Sequence, residues 1–219
     1  MNKNLLCLFI IVLLLGFTAC NSNNIQAYKG TSLMKKYLKS YKRRDFKNMK
    51  KYVKKMKHYS EDTSLKKMTD KNKTRYLKKI KSFSKNHNGI MFYYLADLDK
   101  DRKPELLLED YYCEAGRTVY IYTYKKGKVK YIGKEYASQA YFCTYPGKGI
   151  VKSYGHMGIY GNTHIYIENN KIKKVKYGEI NFDKLKIFDF DKYYPKMILY
   201  NHRKYLKNYK SKIDYSPLK

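Results

Sequence analysis

An α+β fold, with basic helices first and an antiparallel β-meander after them, is what this 219-residue chain predicts. Three observations carry the prediction. Up to about residue 84, apolar residues recur three and four apart, the period of amphipathic helices. From Ile90 the period drops to two, and short runs rich in Tyr, Val, Ile and Thr alternate with turn residues. The connections between those runs are too short for the crossover helices that a parallel sheet needs. Charge sets a further bound: 48 Lys and Arg face 18 Asp and Glu, a formal net charge of +30. Such an excess points to anionic partners.

The first segment stands apart from that fold. Lys3 precedes an apolar run from Leu5 to Phe17, followed by the small residues Thr18 and Ala19 and then Cys20. This is the layout of a secretory signal peptide, and the run falls short of the roughly 20 apolar residues that span a bilayer. Phe17-Thr18-Ala19-Cys20 resembles a bacterial lipobox, with Phe17 where leucine is usual. The resemblance implies cleavage after a signal peptide over 1–19, lipidation of Cys20, and a place on the extracytoplasmic face of the cell membrane. A plain signal peptide with an incidental cysteine is the blander alternative. Residues 20–31, polar and without an apolar period, read as a lipidated flexible tether of roughly 20 Å. In that setting nucleic acid is not an expected partner; anionic lipid headgroups and phosphate-bearing wall polymers are.

The region 32–88 reads as helical. Ser32 caps a helix with Leu33, Met34, Tyr37, Leu38 and Tyr41 on one face; Arg43-Arg44-Asp45 breaks it, and Phe46, Met49, Val53 and Met56 mark a second. Lys35, Lys36, Lys39, Lys42, Arg43, Arg44, Lys47, Lys50, Lys51, Lys54 and Lys55 fall on the outer faces, with Asp45 the only acid among them. They form the candidate contact with an anionic membrane surface or wall polymer. Helix, break at Asp-Phe, helix is similar to the opening of small exported lipoproteins with an NTF2-like fold, over about 25 residues. A third helix is expected from Asp70 to about Ser84, with Tyr76, Leu77, Ile80 and Phe83 turned inward.

Strands are expected at 91–98, 105–112, 118–124, 128–132, 140–145, 149–154, 163–168 and 171–177, forming one antiparallel β-domain over 89–180. Lys125-Lys126-Gly127 and Asn169-Asn170 are hairpin signals. The basic extension 181–219 carries a short C-terminal helix near 195–209. Cys113 and Cys143 are a candidate disulfide that would stabilise the fold by roughly 3–4 kcal/mol outside the cell; two free thiols would read identically. Tyr120, Tyr122 and Tyr124 line one sheet face, a row suited to sugar stacking or, the favoured reading, to the core of a chain without tryptophan.

Seven of the eighteen acids fall between Asp97 and Glu114. Asp97, Asp99, Asp101, the Lys103 carbonyl and Glu105 can curl around one hard cation, and calcium wants six to eight such oxygens. The loop is no EF-hand, having Arg102 at position 6 and Leu108 at position 12. It resembles the strand–loop–strand calcium loop of FG-GAP and VCBS repeats, matching at Ala96, Asp97, Asp99, Asp101, Pro104, Glu105 and Leu106, with Lys100 and Arg102 in place of two glycines. A solvated acidic turn balancing nearby lysines is the other reading. Residues 90–178, through Tyr120–Val129 and Gly155-His156-Met157-Gly158, are similar to a group of uncharacterised lipoproteins of clostridial Firmicutes, a resemblance that implies no activity.

Catalytic motifs are few. The histidines (His58, His87, His156, His164 and His202) show no paired metal spacing. Cys113 with His156, and Glu109, Asp110 and Glu114 as paired carboxylates, are options for which structural roles are simpler. The expectation is therefore a monomeric, membrane-anchored, non-catalytic envelope binding protein whose loop could hold Ca²⁺. The alternative is an envelope hydrolase acting on a glycan or wall polymer.

Overall fold

The structure, a computed structural model, describes residues 31–56, 65–66, 68–87, 90–111, 113 and 115–186. The signal peptide, Cys20, most of the tether, Glu114 and the expected C-terminal helix lie outside the described residues. Three helices precede eight strands: α1 (31–42), α2 (Phe46–Met56), α3 (Asp70–Lys85), β1 (Ile90–Ala96), β2 (Glu105–Tyr111), β3 (Thr118–Lys125), β4 (Lys128–Tyr136), β5 (Ala140–Tyr145), β6 (Gly149–His156), β7 (Ile159–Glu168) and β8 (Lys171–Asn181). Among the described residues no helix is long and apolar enough to cross a membrane.

The eight strands do not form one meander. They divide into two four-stranded antiparallel sheets, β1-β2-β3-β4 and β5-β6-β7-β8. The division falls at 137–139, where Ala137 is buried and Gln139 takes a φ of 48°. Hairpins elsewhere are as expected, with Lys126 and Gly127 (φ 51° and 78°) and Asn169 and Asn170 (φ 51° and 57°) in the left-handed region that such turns require.

Strand alternation then builds four layers. Tyr94, Ala96, Leu107, Val119 and Ile121 of the first sheet pack against Phe142, Ile150, Ile165 and Ile167 of the second. The opposite face of the first sheet, through Tyr93, Leu106, Leu108 and Tyr122, receives Tyr76, Ile80 and Phe83 of α3. The opposite face of the second, through Cys143, Tyr145 and Val151, receives Met34, Tyr37, Leu38 and Tyr41 of α1 and Met49, Val53 and Met56 of α2. The order is thus α3, first sheet, second sheet, α1–α2.

Capping and polar ties fix the helices on these faces. Asp45 caps α2 by accepting the Asn48 N–H at 3.1 Å, and Thr69 caps α3 by accepting that of Asn72 at 3.3 Å. The Tyr41 hydroxyl lies 2.7 Å from the Tyr160 carbonyl oxygen, and Asn162 donates to the Tyr37 hydroxyl at 3.2 Å. The Cys113–Cys143 disulfide is not formed. Both thiols are free: Cys113 is exposed beyond β2, while Cys143 is buried under the helices of the other sheet.

Candidate functional site

The acidic loop joins β1 to β2, and its backbone explains how it stays compact. Lys100 and Arg102 take φ of 67° and 65°, in the left-handed region that favours glycine. Side chains normally resist this conformation, and here short hydrogen bonds hold it. Asp97 accepts the Arg102 N–H at 3.1 Å, Asp99 that of Asp101 at 3.3 Å, and Asp101 that of Lys103 at 2.7 Å.

Three of the four expected side-chain ligands come together. Carboxylate oxygens of Asp97, Asp99 and Glu105 lie within 4.8 Å of one another, a set that could hold a metal ion. Asp97 and Glu105 are buried. Asp101 is not in that set and is bound by the Lys103 ammonium at 3.0 Å, so the four expected side chains narrow to a triad. Burial raises the Asp101 carboxyl, but the Lys103 hydrogen bonds outweigh it and hold the group below its ordinary value.

Glu105 is the unusual member. It points between the sheets, accepting the Leu98 N–H at 2.8 Å and the Thr123 hydroxyl at 2.9 Å. Burial, and then the charges of Asp99 and Asp101, push its carboxyl up to about 8 despite those bonds. A cation among the three carboxylates would reverse that balance.

Lys125, read from the sequence only as part of a hairpin signal, places its ammonium 3.1 Å from Asp99 and 3.0 Å from the Asn170 side-chain oxygen. A polar cleft of about 440 Å³ opens here, lined by Asp99, Lys100, Lys125, Ile167, Glu168, Asn169 and Asn170. The loop is also a structural junction. Its Leu98 carbonyl accepts the Ile167 N–H of the second sheet at 2.7 Å, and its Pro104 carbonyl accepts the Tyr76 hydroxyl of α3 at 2.8 Å. Lys125 and Thr123 escape sequence reading because they arrive from the next strand, brought in by the register that sets Leu106 opposite Tyr122.

Of the carboxylates considered for catalysis, Glu114 lies outside the described residues, and the other two face groups of their own. Glu109 is fully buried, accepts Arg117 Nε at 2.8 Å and receives the Tyr94 hydroxyl on its other oxygen. Asp110 lies 3.9 Å from His87. The Cys113 sulfur accepts the Gly116 N–H at 3.3 Å, while His156 is exposed at the end of β6 in the other sheet.

The basic helices form the other candidate site. Each of the eleven basic residues from Lys35 to Lys55 named above is exposed, because the apolar positions between them are occupied by the core. No known protein family, curated protein or solved structure matches this chain.

Proposed function

We propose that this chain is an exported lipoprotein, anchored through Cys20, that binds the anionic surface of its own membrane through the outer face of α1–α2. The observation that carries this reading is the exposure of all eleven basic residues on one helical layer, with Asp45 the only acid among them. Each such charge near an anionic surface contributes about 1 kcal/mol. The tether holds the layer within roughly 20 Å of the bilayer, so the helices meet the surface without a search. The second part of the proposal is that the ion suited to Asp97, Asp99 and Glu105 is Ca²⁺. Hard carboxylate oxygens and the loop's likeness to FG-GAP and VCBS loops support calcium, and its role is to brace the β-sandwich rather than to catalyse.

The test uses the chain from Asn21 onward, which lacks lipid, and vesicles with or without phosphatidylglycerol. Binding is expected to anionic vesicles alone, to weaken steeply with salt, and to disappear in Lys50→Glu/Lys54→Glu/Lys55→Glu. Equal binding to neutral vesicles, or binding indifferent to this charge reversal, would remove the membrane reading.

A further inference from the structure

The tyrosines aligned by sequence, Tyr120, Tyr122 and Tyr124, pack in the core under α3. Two others on that face of the first sheet do not. Tyr131 and Tyr136 of β4 are 53% and 66% exposed. The register sets Tyr131 opposite Tyr122, Lys134 opposite Tyr120, and Tyr136 opposite Thr118, so all three project on the α3 side. The row is anchored from beneath. Tyr131 lies 5.5 Å from Tyr122 and 6.5 Å from Tyr120 between ring centroids, and Tyr120 meets Phe83 at 5.1 Å.

Cations flank the rings. The Lys79 ammonium stands 4.5 Å over Tyr122 and that of Lys134 5.6 Å from Tyr136. α3 alongside carries seven basic residues and one acid, Asp70. The nearby carboxylate of Asp110 faces His87 at 3.9 Å.

We propose that this row binds an acidic polysaccharide, with sugar rings stacked on Tyr131 and Tyr136 and acid groups met by Lys134 and the lysines of α3. The C–H face of a sugar ring complements the electron-rich face of an aromatic ring, and ammonium groups give carboxylates charge-assisted hydrogen bonds. The two tyrosines are separated by about 15 Å along the strand, enough for several sugar units. Because Tyr131 rests on the packed rings of Tyr120 and Tyr122, little of its ordering is lost on binding. Basic aromatic surfaces also suit single-stranded nucleic acid; the choice of polysaccharide rests on the export reading above. The layer order sets this row and α1–α2 on opposite sides, so one can rest on the membrane while the other faces outward.

Calorimetric titration of the full chain in a polyoxyethylene detergent tests this, with short alginate oligosaccharides, neutral cello-oligosaccharides and poly(U) as probes. Alginate is expected to bind, more tightly than either other probe. Tyr131→Ala/Tyr136→Ala raises Kd by about tenfold or more, and Lys134→Gln flattens the salt dependence. Thermal midpoints stay unchanged in these variants because the side chains replaced are exposed. Charge reversal on α2 leaves alginate binding intact, so failure of the membrane reading and failure of this one are separable. No alginate binding at millimolar concentration, binding unaffected by the tyrosine changes, or tighter binding of poly(U) or neutral sugar would overturn the inference.

Discussion

The ammonium of Lys125 is a tethered cation at the margin of an acidic loop, 3.1 Å from Asp99. With the lysine 38% and the aspartate 12% exposed, this pair contributes under about 1 kcal/mol to folding. It opposes any other cation that needs Asp99. Lys125→Met is therefore expected to leave the thermal midpoint nearly unchanged while tightening Ca²⁺ about tenfold, measured by titration calorimetry. His164 carries a second prediction at this scale. Burial, together with the charges of Lys100 and Lys148, holds its imidazole below its ordinary value despite the bond to the Lys148 carbonyl at 2.7 Å. Between that lowered value and 6.5 the unfolded chain binds more protons than the folded one. Stability attributable to this group is thus intact above 6.5 and falls as pH drops below it. Urea midpoints from pH 7.5 to 5 should show a smaller acid loss in His164→Gln than in the parent. Of the candidate site, Asp97, Asp99 and Glu105 are legible because alternate spacing is visible along one segment. Lys125 is not, because only strand register brings it there.

Elements were legible wherever a period survived over a full segment. The inward residues of α1, α2 and α3, and the two hairpin turns with left-handed residues, follow from spacing and turn chemistry alone. The division into two sheets does not. A strand buried on both faces reads alike whichever neighbour it pairs with, and 137–139 resembles another short connection. Sheet division also makes edges of β4 and β5, which a continuous meander would pair, while β8 is an edge in either arrangement. β4 and β8 lie together at one margin, where a Cβ on Gly133 would approach Ile172 Cδ1 to 2.7 Å. On β8, residues Lys171, Lys173, Lys174, Val175 and Lys176 are all exposed. Lysines on an open edge oppose pairing with another chain. Lys171→Thr/Lys173→Thr/Lys176→Thr is expected to keep the fold but to form concentration-dependent aggregates, read by light scattering, which the parent does not.

At the scale of the whole molecule, polar groups as well as apolar ones hold the two sheets together. Glu135 of β4 is buried and pairs with Lys152 of β6 and with the more exposed Lys174 of β8, so either lysine can be lost without leaving the carboxylate uncompensated. The acidic loop makes another crossing, where the Leu98 carbonyl receives the Ile167 N–H. Glu105 lies behind that contact with its carboxyl pushed up to about 8 by burial and then by the charges of Asp99 and Asp101, a penalty that a cation held by the triad would relieve. Calcium at a hundredfold excess over its Kd should stabilise the fold by about 2.7 kcal/mol, a rise of roughly 5–11 °C for a chain of this size. The gain should be concentrated at the crossing. Hydrogen exchange of the Ile167 amide is expected to slow with Ca²⁺, while amides in the distant β6–β7 turn change little. Asp99→Asn should abolish both effects without unfolding the protein, since Asp99 is the least buried of the three carboxylates. A rise in midpoint that persists in Asp99→Asn would place calcium elsewhere, and no rise at millimolar calcium would leave the loop balanced by its own ammonium groups, Lys125 on Asp99 and Lys103 on Asp101.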